Sequence, residues 1–382
     1  MRITPPGPHR GWPEPERGDM HNHMNTTPKA EASPAGKPGR TPSFAVTATV
    51  REPAELVLAF VAHHLELGAK KIIIYLDDPD DPVRPLLVKT PRVNAIRCTE
   101  AYWNEVTNGR GRPPNQNARQ AVNASQAYKK VKADYLLHLD ADEFLHMARP
   151  FAEEIARLED DDVWLRVPAV ERCWLEGDAS DHIFSGVFRH PIKQAPLIAK
   201  RIYGEEVTPF LANGLAGSSH GKPLVRTGHK VQVQVHAAKL PGKNNGWAKH
   251  KKATGLHVLH FDGLTPLHWA AKTLRYAEQG DEAIDKLLHQ ERARQVREVR
   301  DNISTMPELL RFFRKITGLT PDQSRALTEH GRLSAMKIDP EAAMRRVFPE
   351  VEADFSFRAF DLKLGSENAK RLMKKIAANQ AA

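Results

Sequence analysis

Tyr135-Leu136-Leu137-His138-Leu139-Asp140-Ala141-Asp142-Glu143-Phe144-Leu145 joins an apolar run to a cluster of acids. The run has the length and composition of a buried strand. In open α/β sheets, ligands bind outside the carboxyl ends of the strands, so acids at this position mark a candidate site. The Asp-x-Asp spacing alone says little, since roughly one copy is expected by chance in a chain of this length. The pairs Asp78/Asp80, Asp140/Asp142 and Asp160/Asp162 all have it. Of these, Asp140/Asp142 follows a buried-strand pattern and precedes the apolar Phe144-Leu145, whereas Asp160/Asp162 reads as a solvated acidic turn.

Upstream, Phe44–Val50 is β-branched and alternating, a short strand. Pro53 opens a helix that runs over Glu55–Leu67 and stops at Gly68. Lys71–Leu76 is a continuous apolar run followed by the acidic turn Asp77–Asp81, and Arg92–Thr99 is a third strand. Asn115–Lys132 reads as a helix with Gln116, Gln120 and Asn123 along one polar face. This order predicts an α/β fold with a mixed, mainly parallel, Rossmann-like sheet and flanking helices. Arg51-Glu52, Asp77–Asp81 and Asp140–Glu143 then face one crevice. Downstream, Pro150–Leu158 reads as a helix, Val163–Val170 as a strand, and 171–257 as loop-rich with a strand at Lys230–His236. From Thr265 the pattern is helical, with helices at Asp281–Arg300, Pro307–Ile316 and Ser366–Ala378. Residues 1–42, rich in Pro and Gly and without apolar periodicity, read as a disordered tail. The expected division is therefore the tail at 1–42, a sheet domain at 43–276 and a helical extension at 277–382.

The 382 residues are 41% hydrophobic and 27% charged, ordinary for a globular protein. No stretch approaches the roughly 20 apolar residues of a membrane helix. The expectation is a cytoplasmic protein, with peripheral contact at the inner membrane left open. Two cysteines, Cys98 and Cys173, cannot build a disulfide framework or a four-cysteine zinc site. The net charge of +9 is concentrated: between Phe184 and His257 stand twelve Lys/Arg and two acids. Such a span suits an anionic ligand, whether a nucleotide diphosphate, an acidic acceptor, a membrane surface or nucleic acid.

Four segments together carry a resemblance. Val50-Arg51-Glu52, His63-His64-Leu65-Glu66-Leu67-Gly68, Ile72-Ile73-Ile74-Tyr75 and Leu136–Leu145 resemble family 2 glycosyltransferases, most closely a bacterial branch with an Asp-x-Asp-Glu-Phe-Leu signature. The likeness covers about Phe44–Tyr276. It implies a GT-A fold, a nucleotide-diphosphate-sugar donor, a divalent Mn²⁺ or Mg²⁺, and inversion at the anomeric carbon. By matching position it implies that Glu52 and Asp78 line the nucleoside pocket, that Asp140 contacts ribose or metal, and that Asp142 binds the metal. Gln120 and Asn123 fall where the branch has polar residues, on the donor side. Pro79 and Pro82 depart from the family's usual turn.

In the segment from Gly217 to Arg226, small residues surround His220, Lys222 and Arg226, a composition suited to a flexible loop closing over a diphosphate. His260, with His257 as rival, resembles the late histidine that completes the metal shell in many GT-A enzymes. Trp269, Lys272 and Arg275 follow at helical spacing, as donor-phosphate contacts or as a helix face. An inverting transfer needs a general base; Glu171 is the first candidate, with Asp178 and Asp181 as rivals.

A nucleotidyltransferase would show a Gly-rich loop near Val50–Ala54, where there is none. A basic anion- or nucleic-acid-binding protein on a degenerate GT-A scaffold would explain the charged span but not Asp140–Glu143, so nucleic acid is not the expected partner. The acceptor, whether saccharide, lipid or protein, is not specified by these residues.

Overall fold

Phe44–Val50 forms β1, an inner strand of the larger sheet, buried along nearly all of its length as its apolar and β-branched composition favours. The computed structural model describes residues 40–364 other than 194, 243–245 and 279. The chain divides into two units, 1–36 and 37–382. Nearly all of the expected tail, and the helix expected at 366–378, lie outside the described residues.

After β1 the chain alternates. Pro53 leads into α1 (Ala54–Glu66), which ends at Gly68 in a left-handed conformation with φ 89°. There follow β2 (Lys71–Leu76), α2 (Arg84–Lys89), β3 (Val93–Arg97), α3 (Glu100–Val106), α4 (Gln116–Lys130) and β4 (Tyr135–His138). These four strands are mutually parallel, in the order β3-β2-β1-β4. The chain thus walks outward from β1 to β3 and returns to the far side of β1. The turn-around lies between β1 and β4, the switch point at which α/β sheets open a crevice.

Beyond β4 come β5 (Glu143–Met147), α5 (Phe151–Ile155), β6 (Trp164–Val167), β7 (Ala169–Leu175), β8 (Val187–Arg189), α6 (Pro196–Tyr203) and β9 (Lys222–Arg226). The strand expected over Val163–Val170 breaks at Pro168, which has no N–H for a ladder. Its halves serve different sheets. β6 joins the larger one, where β9 inserts antiparallel between β4 and β6. β7 joins a second sheet. The strand expected at Lys230–His236 shrinks to β10 (Gln232–Val233), paired with β11 (Ala238–Lys239); β12 (His250–Lys252) then extends the larger sheet beside β6.

β13 (Leu256–His260) lies between β5 and β7 in the second sheet, antiparallel to β5 and parallel to β7. The helical region comprises α7 (Pro266–Ala277), α8 (Asp281–Leu287), α9 (Gln290–Arg297) and α10 (Met306–Thr317), then β14 (Gly318–Leu319), α11 (Pro321–Glu329), β15 (Leu333–Ser334), α12 (Pro340–Val347) and α13 (Phe357–Leu362). The single helix expected over Asp281–Arg300 is interrupted at Leu288, and His289 caps the second piece. β14 pairs with β7, β15 pairs with β8, and α12 packs on α1. Residues beyond 276 are therefore built into the sheets. Phe144, fully buried, meets Phe60, His63, Phe184 and Phe261, so the residue after the acidic cluster anchors the site in the core.

Candidate active site at the strand switch point

Glu52 follows β1 and Asp140 follows β4, so both stand at the carboxyl edge of the switch point. Asp140 is held from two sides. Gln120 of α4 donates to Oδ1, and Lys222 Nζ, at the start of β9, donates to Oδ2 at 2.6 Å. Lys222 is 1% exposed and also lies 3.0 Å from Glu143 Oε2, while Glu143 accepts the Asp140 N–H at 2.9 Å. Burial opposes charge on both Lys222 and Asp140, but their attraction outweighs it, holding the carboxyl well below and the ammonium above their ordinary values. Glu143 is pushed up by burial.

A second lysine does the same for the next acid. Lys272, on α7, donates to Asp142 Oδ2 and lies 3.8 Å from Asp262 Oδ1; Arg292 of α9 donates to Asp262 Oδ2 at 2.9 Å. α7 also aims His268 Nε2 at Glu52 Oε2, 3.1 Å away, and Arg275 at Glu52 Oε1, 3.8 Å away. Burial would raise the Glu52 carboxyl, yet His268, Arg275 and Lys272 together hold it down at about 2. At the end of β2, Asp77 sits 2.7 Å from Arg112 and 3.0 Å from Arg119. The crevice edge is thus a lattice of carboxylates and cations, a surface matched to a ligand carrying phosphates and hydroxyls.

The second sheet adds a row of four. Glu143 of β5 pairs with His260 of β13, His260 with Glu171 of β7, and Glu171 with Arg189 of β8. Directly opposed residues share a face. Glu171 is 1% exposed, and its oxygens accept from Arg189 Nη2 at 2.6 Å, Arg189 Nε at 3.2 Å, Ala216 N at 2.7 Å and Gly217 N at 2.5 Å. Gly217 is forced to be small: a Cβ there would stand 2.8 Å from His260 Cε1 and 3.0 Å from Glu171 Oε2.

No family model matches the chain, and no curated protein matches it. Among solved structures, the chain is similar to the one titled "Crystal structure of HddC from Yersinia pseudotuberculosis", at 12% identity and a TM-score of 0.24, covering 58% of this chain and 77% of that one.

Glu52, Gln120, Asp140, Asp142, Lys222 and His260 come together around the switch point, and the others do not. Asp78 stands exposed on its turn and accepts the Asp80 N–H, while its neighbour Asp77 is the acid turned inward. Asn123 is fully buried as a brace: it accepts from the Tyr102 hydroxyl at 2.6 Å and donates to Thr49 Oγ1 at 2.9 Å. Lys222 is no loop residue, because β9 begins with it. Arg226 lies at the opposite end of β9 and donates to the Asp160 carbonyl, since four strand residues span about 13 Å. Glu171, the expected general base, is buried and held in place: its Oε1 accepts from Arg189 Nε and Nη2 and from Ala216 N, and its Oε2 accepts from Gly217 N. Asp178 caps the Ser180 N–H on an exposed turn that also carries Asp181. His257 pairs with His146 on the second sheet and is in ring contact with His190. Trp269 is a fully buried core residue.

The expected ligand trio of Asp140, Asp142 and His260 does not form. Both Asp140 oxygens are engaged by Gln120 and Lys222. Asp142 Oδ2 and His260 Nε2 are 4.0 Å apart, a spacing that two ligands of one divalent cation span at about 2.1 Å each. A carboxylate and an imidazole are donors of the kind a divalent cation takes, and Lys272 is the counter-ion that now faces Asp142. Among the described residues, the three-ligand cluster that does form is Glu159, Asp161 and Asp162, bridged by Lys249 and Lys251. Sequence reasoning put Asp77 in the crevice only as part of the turn Asp77–Asp81, and it missed Arg112, Arg119, Asp262, His268 and Arg292. Of these, Asp262 and His268 flank residues it had singled out; Arg292 gives no local signal at all.

Proposed function

We propose that the protein is a glycosyltransferase that takes its sugar from a nucleotide-diphosphate donor. The observation that carries this reading is the meeting, at the β1/β4 switch point, of Glu52, Asp140 and Asp142 with Lys272, Arg275 and His268. A diphosphate needs cations at its non-bridging oxygens, and a ribose needs carboxylates for its hydroxyls; both kinds of group stand at one edge. In this reading Glu52 and Asp77 face the nucleoside, and Asp140, oriented by Gln120 and Lys222, accepts from a ribose or sugar hydroxyl. Lys272 and Arg275 bind the diphosphate. Asp142 and His260 would hold a Mn²⁺ or Mg²⁺, which would supply positive charge against the leaving diphosphate. Arg189 and the Gly217 amide keep Glu171 fixed, and Glu171 with Gly217 seats the His260 ring.

The alternative of a basic binding module is weakened by how the cations are used. Lys222, Lys249 and Lys251 are bound to carboxylates of this chain. The deciding experiment is a panel of nucleotide-diphosphate sugars and free nucleoside diphosphates, with and without Mn²⁺, read by thermal stabilisation and by release of diphosphate. Stabilisation by at least one nucleoside diphosphate, lost in Asp142→Asn, is the expected result. A full panel without any effect would remove the proposal.

A further inference from the structure

We propose that α6 is a membrane-contact wedge that seats the protein on an anionic lipid bilayer. The helix reads Pro196-Leu197-Ile198-Ala199-Lys200-Arg201-Ile202-Tyr203. Its buried face, Ala199, Ile202 and Tyr203, packs toward the protein, where α6 meets α11. Its outer face carries Leu197, 80% exposed, and Ile198, 38% exposed, directly beside the exposed Lys200 and Arg201. Large apolar side chains standing in water next to long cations are the composition of an interfacial helix, whose apolar residues enter the acyl boundary while the cations reach lipid phosphates.

The surroundings reinforce the sign of the charge. Lys193 precedes the helix and is exposed, Arg294 donates to the Pro209 carbonyl just beyond it, and Lys315 lies 3.9 Å from Glu206. Against Lys193, Lys200, Arg201, Arg294 and Lys315 stand Glu205, 2.7 Å from Lys200, and Glu206, while α11 beside α6 adds Asp322 and Glu329 against Arg325. The patch is therefore net positive, which complements an anionic leaflet. Two projecting apolar side chains fall short of the roughly 800 Å² per partner of a stable protein interface, but suffice for a wedge that works together with charge.

The position matters for chemistry. Tyr203 of α6 lies under the Arg189 guanidinium, 5.6 Å from ring centre to carbon, and Arg189 holds Glu171 in the second-sheet row. A bilayer at α6 thus sits behind the row that contains His260.

The test is flotation of the full chain with vesicles of phosphatidylcholine alone and of phosphatidylcholine mixed with phosphatidylglycerol. It does not depend on any donor or activity. The wild type should float with the mixed vesicles and stay behind with the neutral ones. Leu197→Asp with Ile198→Asp should cut partitioning at least about tenfold, as loss of two inserted aliphatic side chains requires. Arg201→Glu should also weaken it, while Leu362→Asp, at an equally exposed leucine elsewhere, should leave it unchanged. Circular dichroism of each variant confirms that the fold survives. Absence of flotation, or flotation insensitive to the Leu197/Ile198 pair, or equal loss with Leu362→Asp, would each overturn the wedge.

Discussion

A lysine buried between two carboxylates answers mutation differently from one on a loop. Lys222→Ala leaves Glu143 and Asp140 without their counter-charge, and breaking such a pair costs about 3–5 kcal/mol. Urea unfolding should show that loss directly; a variant as stable as wild type would mean that the ammonium is dispensable. Asp142 faces the opposite situation, because its partner Lys272 keeps some access to water. Asp142→Asn should preserve the fold yet lower Mn²⁺ affinity by an order of magnitude or more, read by calorimetry without any substrate. Glu52 makes the pH dependence specific. Its carboxyl titrates near 4.5 when free and at about 2 in the folded chain, so as pH falls the unfolded chain takes up its proton first. The stability it contributes is complete above about 4.5 and is lost progressively between there and about 2. Glu52→Gln should flatten thermal stability across that window, and an unchanged profile would show that Glu52 does not govern it.

α7 delivers three of the site's side chains, because His268, Lys272 and Arg275 fall at i, i+4 and i+7 on one face. Its N-cap does two jobs. Thr265 Oγ1 accepts from the His268 N–H at 3.0 Å and donates to Asp361 of α13. Thr265→Ala should cost about 1 kcal/mol in stability and weaken nucleoside diphosphate binding at the same time; stability loss with unchanged affinity would separate the cap from the site. At this scale the sequence was readable where a signal is local. β1, β2 and β4 appear within a residue or two of their expected limits, since each is a run of apolar residues bounded by turn formers. β5 escaped notice because Glu143–Met147 reads as the continuation of an acidic turn, and what makes it a strand is pairing with Leu256–His260, more than a hundred residues away. The burial of Lys222, which reads as a loop residue, escaped for the same reason. Nothing in Gly221-Lys222-Pro223 announces a buried ammonium; only insertion of β9 between β4 and β6 buries it. The acids of the site were legible, and Lys222, Lys272 and Arg275 were singled out beside them, but which cation meets which acid was not, because acids at a strand end follow from local order, whereas a partner charge follows from topology.

Across the whole molecule, the segment beyond 276 is interleaved with the sheets through β14, β15 and α12. A chain ended at residue 276 exposes the β7 and β8 edges and the face of α1, so it should aggregate instead of melting cooperatively, as size-exclusion and calorimetric traces would show. A soluble, cooperative fragment would mean that the two parts fold separately. The placement of Lys222 and Lys272 also has a consequence for synthesis. Asp140 leaves the ribosome 82 residues before Lys222, and Asp142 leaves 130 residues before Lys272. At about 5–20 residues per second these gaps last roughly 4–16 s and 6–26 s. Throughout that interval the nascent chain carries its acidic cluster beside a β4 edge that β9 has not yet covered. Translation speed over residues 143–226 therefore sets how long the half-made sheet stays open to a wrong strand, and slow codons placed there would lengthen the exposure.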